Sequence, residues 1–236
     1  YPKFYPKMTI IHVQPALPSY RVDFFQRLAA HYGNGMQVYY SPVDMGAITA
    51  EREQAPWERP IGTMRNLISG VEWQVGALGV QVQPSDTLVV CGAPRNLSTL
   101  LLLLRARVIG ARTIWWGQYW SATTEPHRHA LRMKLARLAD GILFYTDEEV
   151  DRYHAEGWAH PGPVGALNNG TDLTTVRYLR RSYDAATRRR NLLFIGRLTE
   201  KAQLHLAIEA LADPVLNMIH LHVIGDGSEA GTLRRL

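Results

Sequence analysis

At 236 residues, with 46% hydrophobic and 20% charged side chains, the chain has the composition of a folded protein with a sizeable core. It is long enough for one large α/β domain, or for one domain and part of a second. A single cysteine, Cys91, excludes an internal disulfide framework and any Cys/His cluster with zinc spacing; it reads as a packed core residue in a reducing compartment. The net charge of +5 and a pI near 9.4 favour anionic partners: nucleic acid, phospholipid headgroups or a phosphorylated substrate.

Short β-rich runs at 9–13, 36–40, 87–91, 113–116, 142–145, 192–195 and 221–224 read as buried strands. Helical patterns lie between them at 20–31, 97–109, 126–138, 148–156 and 203–211; in the first of these Val22, Phe25, Leu28 and Ala29 share one face. Strand and helix in alternation predict an α/β fold with a parallel sheet and helices on both faces. Ligands bind such sheets beyond the carboxyl ends of the strands, which directs attention to the loops at 14–21, 92–96, 117–125 and 196–201. The longest apolar run, 100–104, stops at Arg105, far short of the roughly 20 residues that span a bilayer. Residues 1–7 lack the apolar segment of a signal peptide, so a cytoplasmic location is expected. A polar, arginine-rich stretch from 172 to 190 reads as the junction between two lobes, 1–167 and 168–236, the second too short to be a complete Rossmann-like lobe.

Two strand ends carry residues suited to phosphate chemistry. The run LLFIGRL ends in Gly196-Arg197, placing a guanidinium at the carboxyl edge, where its planar fork can grip two phosphate oxygens. Lys201 follows where the next helix is expected to open and its free N–H groups to attract an anion. The plainer alternative makes both residues ordinary solvated charges. LHVIGDG ends in Gly225-Asp226-Gly227, a turn that either admits a ligand close to the backbone or simply reverses the chain.

NNGTD at 168–172, FIGRL at 194–198, QLHLAIEAL at 203–211 and HVIGDGSE at 222–229, in that order, resemble glycosyltransferase family 4, the retaining enzymes of GT-B fold. PALPSYRVDFF after the first strand, and GAPRNLSTLLLLLRARVIGARTIWWG further on, look like the acceptor-side loop and central elements of bacterial polysaccharide-building members. The resemblance implies two Rossmann-like lobes, the second truncated at its C-terminus. It implies a donor site for a UDP- or GDP-sugar at Asn169, Gly170, Gly196, Arg197, Lys201, Gly225, Asp226 and Gly227. The acceptor, a glycan or a polyprenyl-linked sugar, is expected around Pro18, Ser19, Tyr20, Arg21, Arg95 and Asn96. Trp116 and Tyr119 are expected to offer it aromatic faces, with Trp120 beside them and Trp115 in the core.

Three departures accompany the resemblance. The family's phosphate lysine falls at Ala202, with Lys201 one residue early, a turn of about 100° on a helix. Gln118 stands where related members often have histidine; it can hydrogen-bond a sugar hydroxyl but cannot take a proton. The Glu-x7-Glu motif that contacts the donor sugar is absent, which implies little or no activity for this length of chain alone.

The function implied is transfer of a sugar with retention, with Arg197, Lys201 and Gln118 as the catalytic set and no resident cofactor. No metal is expected, since no Asp-x-Asp pair occurs. Two other readings stay open: an inactive nucleotide-sugar-binding protein or partner subunit, which Ala202 and Gln118 both suit, and another GT-B enzyme such as a sugar-nucleotide epimerase. Arg128, His129, Arg132, Lys134 and Arg137, set around Leu131, Met133, Leu135 and Leu138, describe either an ordinary surface helix or one lying on anionic lipid at the inner face of the plasma membrane. The arginines at 177, 180, 181 and 188–190 sit in no DNA- or RNA-binding module, so nucleic acid is not an expected partner.

Overall fold

β-Branched and aliphatic runs separated by helical segments give alternating strands and helices, as expected from the sequence. The computed structural model describes residues 8–42, 53–120, 125–168, 170, 172–180 and 190–236. They divide into two units, Tyr1–Leu173 and Thr174–Leu236. In the first unit the order is β1 (Ile10–Gln14), α1 (Ser19–Tyr32), β2 (Met36–Tyr40), β3 (Glu58–Pro60), β4 (Met64–Ile68), β5 (Val71–Gln74), β6 (Thr87–Cys91), α2 (Leu97–Val108), β7 (Arg112–Trp116), α3 (Pro126–Ala136), β8 (Gly141–Phe144), α4 (Asp147–Ala155) and β9 (Val164–Ala166).

Seven of these strands form one parallel sheet in the order β3-β2-β1-β6-β7-β8-β9. The direction of winding reverses between β1 and β6, so the topological switch point lies there, flanked by the loops that follow those two strands. The period of two along each strand sorts side chains onto opposite faces. Ile11, Val13, Leu88, Val90, Trp115, Ile142 and Phe144 pack with Leu102, Leu103, Met133, Ala136 and Tyr153 of α2, α3 and α4. Ile10, Val89, Trp116 and Leu143 pack on the other side with Phe25, Val22 and Leu28 of α1. Each fully buried large side chain stabilises the fold by about 1.5–3 kcal/mol relative to exposure.

Helix ends follow local chemistry. Thr146 and Glu149 close a capping box on α4, whose first turn carries Asp147, Glu148 and Glu149 against the positive end of the helix. Asn96 caps α2 by accepting from the Thr99 amide at 3.2 Å. α1 begins after Pro18, which supplies no capping side chain.

Four strands are not signalled by hydrophobic alternation: β3, β4, β5 and β9. β3 places Glu58 in the interior, where its carboxylate accepts from the Tyr40 hydroxyl at 2.8 Å and the Ala55 amide at 2.9 Å, so the strand is set by tertiary partners. β4 and β5 form an antiparallel hairpin whose first strand is mostly exposed, and β9 spans only three residues.

The second unit contains α5 (Thr174–Leu179), β10 (Asn191–Ile195), α6 (Leu204–Ala210), β11 (His220–Ile224) and α7 (Ala230–Leu233). β10 and β11 pair in parallel across α6. Leu198, Leu204 and Ala230 are its buried apolar residues among those described, with Phe194, Ile208, Leu221 and Leu233 packed around them. No described helix is long and apolar enough to cross a membrane.

Candidate functional site

Beyond the carboxyl ends of β1, β7 and β8, on the face covered by α1, polar and aromatic side chains form a row. Val13 pairs with Val90, and Cys91 pairs with Trp116, so Gln14, Cys91 and Trp116 lie at neighbouring strand ends. Arg21, in the first turn of α1, reaches down to this row. Its Nη1 donates to Gln14 Oε1 at 3.2 Å and its Nη2 to the Tyr145 hydroxyl at 3.1 Å. Its guanidinium carbon stands 4.6 Å from the Trp116 ring centroid, 5.4 Å from Tyr145 and 5.8 Å from Tyr20. Among the described residues no carboxylate pairs with it. Arg21 Nε and Gln14 Nε2 are buried donors with no hydrogen-bond partner.

The hairpin of β4 and β5 braces this edge. Gln74 Nε2 donates to the Gln14 carbonyl at 2.7 Å and to Ser41 Oγ at 3.1 Å, while Ser41 Oγ donates to the Gly62 carbonyl at 2.7 Å. Gln74 N donates to Ser98 Oγ at 2.9 Å, and Ser98 Oγ donates to Asn96 Oδ1 at 2.8 Å. Gln74 Oε1 is a buried acceptor without a partner. Gln74, Ser41, Tyr145 and His12 were not marked by the sequence. They come from elements far apart in the chain, and no local motif announces a glutamine that ends a hairpin strand.

Burial governs the titratable groups here. The Cys91 thiol is pushed up to about 11, chiefly by burial and in spite of Arg21 and Arg95 nearby, so it is protonated at neutral pH and is no nucleophile. Cys91 is half-buried rather than deep in the core. Burial lowers His12 to about 3 and keeps its ring neutral between Phe25 and Trp116, with neither nitrogen hydrogen-bonded. Burial, outweighing Arg21, raises the Tyr145 hydroxyl.

The expected acceptor residues separate on this frame. Ser19 and Tyr20 are exposed at the opening of α1, beside the half-buried Pro18 and Arg21. Arg95 is exposed and pairs with Glu72 at 3.0 Å. Asn96 is buried, and its Oδ1 is taken up by the Ser98 hydroxyl and the Thr99 amide in capping α2. Trp116 and Tyr119 are 2% and 0% exposed, which removes both as open faces for a sugar. Trp116 lies beneath Arg21 among His12, Phe24, Phe25 and Tyr145. The Tyr119 hydroxyl donates to Glu156, and its amide donates to Glu149 Oε1 at 2.9 Å, fastening the loop after β7 to α4. Burial, then the Glu156 carboxylate, raises the Tyr119 hydroxyl. Gln118, on that same loop, is exposed, Trp120 is exposed under Arg152, and Trp115 is fully buried as expected.

In the second unit the turns after β10 and β11 interlock through backbone alone. The Gly196 amide donates to the Ile224 carbonyl at 3.0 Å, Leu198 N to the Asp226 carbonyl at 2.9 Å, and Glu229 N to the Leu198 carbonyl at 2.9 Å. A Cβ on Gly225, whose φ is 150°, would strike the Gly196 carbonyl, and one on Gly227 would strike that of Leu198, so both positions require glycine. Gly196, Arg197, Gly225, Asp226 and Gly227 are thereby brought to one sheet edge. Arg197 is exposed there, with no ion pair among the described residues. Lys201 departs from its expected setting. It lies in a 3-10 turn, Glu200–Ala202, and Gln203 at φ 51° delays the α-helix to Leu204, so Lys201 is not in the first turn of α6. Gly170 is exposed, and Asn169 lies outside the described residues. No group of three or more His, Cys, Asp or Glu among the described residues could hold a metal ion.

No protein-family model and no curated protein matches the chain. Among solved structures it is similar to a UDP-N-acetylglucosamine 2-epimerase from Rickettsia bellii, with 10% identity, a TM-score of 0.54, and coverage of 97% of this chain and 64% of that one. A UDP-forming alpha,alpha-trehalose-phosphate synthase from Burkholderia vietnamiensis gives 15% identity, a TM-score of 0.46, and coverage of 96% and 67%. A mutant of S. aureus TarM in complex with Fondaparinux, alpha-GlcNAc-glycerol and UDP gives 10% identity, a TM-score of 0.45, and coverage of 72% and 35%. The chain thus spans between about a third and two thirds of the solved chains it resembles. The likeness to the epimerase is one of fold. The α/β class with a parallel, Rossmann-like sheet stands, and it fits the GT-B expectation.

Proposed function

We propose that the chain carries acceptor-side and donor-side elements of a nucleotide-sugar-dependent glycosyltransferase that works with retention and without a metal. The observation that carries this reading is the interlock of the β10 and β11 turns, which leaves Arg197 exposed at the same strand edge as the Gly225-Asp226-Gly227 backbone. A diphosphate needs a bidentate cation, and the exposed Arg197 at this edge offers one. Arg197, with Lys201 beside it on the 3-10 turn, neutralises the diphosphate that a sugar leaves behind, a charge that grows in the transition state. Gln118 hydrogen-bonds a sugar hydroxyl. The co-substrate is a UDP- or GDP-sugar and the acceptor a glycan or polyprenyl-linked sugar. The exposed Arg128, Leu131 and Lys134 of α3, with Arg137 just after it, suit contact with an anionic lipid surface.

Isothermal titration of UDP and of GDP tests the donor site. Arg197→Ala is expected to weaken the nucleotide that binds by about ten- to a hundredfold, the worth of a hydrogen-bonded charge pair. An unchanged affinity in that variant removes the donor assignment.

A further inference from the structure

We propose that the opening turn of α1, Arg21 and Gln14 form a phosphate-binding site at the switch point of the first unit, and that the acceptor therefore carries a phosphoryl group. The inference deepens the acceptor-side reading above and rests on it. Three independent features meet at this place. First, Arg21 is half-buried against Trp116 and Tyr145, yet among the described residues no carboxylate pairs with it. A cation in such surroundings normally has an anionic partner. Second, two donors at this place are left unsatisfied, with one buried acceptor, Gln74 Oε1, unpaired on the side chain that donates to the Gln14 carbonyl. Gln14 is 2% exposed, and its amide turns Oε1 to Arg21 while Nε2 finds no partner; Arg21 Nε is likewise unpaired. An anion brings the acceptors that these groups lack. Third, α1 runs for 14 residues from an N-terminus that Pro18 leaves without a side-chain cap, so its first-turn amides and its dipole favour negative charge there.

Position supports chemistry. The loop after β1 borders the crevice where winding reverses, the place at which open parallel sheets bind ligands. Tyr20, 57% exposed, places its ring 5.8 Å from the guanidinium. A phosphate monoester or diphosphate fits the donor set; a neutral hydroxyl would leave the charge of Arg21 unanswered.

Titration with inorganic pyrophosphate at low salt tests the site, using the whole chain and three variants. Gln14→Glu places a carboxylate against Arg21. It is expected to weaken pyrophosphate binding at this site about ten- to a hundredfold while raising the thermal midpoint, opposite movements that a folding defect cannot mimic. Arg21→Gln is expected to weaken the same site by a similar factor. Arg197→Ala removes the donor-side binding and leaves this site unchanged. If only Arg197→Ala loses binding, the inference falls and the donor reading stands; if only the Gln14 and Arg21 variants lose it, the inference stands and the donor reading falls. Phosphatidylcholine vesicles with and without polyprenyl phosphate then separate the sources. Capture that requires the polyprenyl phosphate and is lost in Gln14→Glu assigns a lipid phosphate, whereas binding of pyrophosphate without such capture assigns a soluble phosphorylated acceptor.

Discussion

Parallel strands build both units, but they are finished differently. In the first, β6, β7 and β8 lie between helical layers that bury Leu88, Val90, Trp115 and Phe144 completely. In the second, β10 leaves Leu193 and Ile195 61% and 68% exposed. Parallel sheets ordinarily have both faces covered. The difference shows two ways of holding an arginine at a sheet edge. Arg21 is held in the first unit by aromatic rings and a hydrogen-bonded floor, so side-chain packing positions it. Arg197 is held in the second by backbone meeting backbone at Gly196, Gly225 and Gly227.

The sharpest way to break this comparison is to cut a large side chain from each core. Trp115→Ala is expected to destabilise the first unit by about 3–5 kcal/mol, because the ring is fully enclosed and its removal leaves a cavity. Leu204→Ala in the second unit is expected to cost about 2 kcal/mol, the low end for such a change, since the sparse surroundings can collapse. Chemical denaturation followed by hydrogen exchange assigns each loss to its unit; equal losses would show that the cores are equally closed.

Next in size is Gly225→Ala, expected to cost about 3 kcal/mol from the contact with the Gly196 carbonyl and the backbone conformation together. Backbone cannot swing aside as a side chain can, so the β10 and β11 turns separate and nucleotide affinity falls with them. Exchange of the first unit's amides is expected to stay as in the parent chain. Retained affinity for UDP or GDP in Gly225→Ala would detach donor binding from the interlock.

Legibility in the sequence follows the same division. β2 and β6 fall at 36–40 and 87–91 as their β-rich runs predict, because those strands lie within the sheet and carry their own apolar residues. β3 and β5 escaped notice because their partners are distant or polar: the Glu58 and Gln74 side chains are bonded in the interior to Tyr40, Ala55, Gln14 and Ser41. The loop at 14–21 was legible as following a strand of the parallel sheet, and Arg21 as lying at its end. Its floor was not, since Tyr145 lies 124 residues away in the chain. Trp116 and Tyr119 misled because an aromatic residue after a strand reads alike whether it faces a sugar or fills the core. In the second unit the glycines were legible, but the shift of the helix start to Leu204 was not, because it depends on the left-handed backbone at Gln203.

A smaller effect in the first unit follows pH. Burial lowers His12 to about 3, below its value near 6.5 in an unfolded chain. The unfolded state therefore takes up the proton first as pH falls. The stability that the neutral ring allows is fully present above about 6.5 and is lost progressively down to about 3. Between pH 6.5 and 5 the first unit is expected to lose about 2 kcal/mol, and His12→Leu is expected to remove most of that slope. An unaltered slope in His12→Leu would place the acid-sensitive group elsewhere.

The smallest expected effect probes the open face itself. Ile195→Thr shortens an apolar side chain that is 68% exposed at the end of β10, keeping the β-branched shape the strand favours. With little apolar area removed from water at that position, the change should move the stability of the second unit by no more than about 0.5 kcal/mol. Leu204→Ala on the same unit sets the scale for a buried position. A loss in Ile195→Thr that approached the Leu204→Ala value would mean that this face is covered in solution, and the contrast between a closed and an open sheet would then have to be given up.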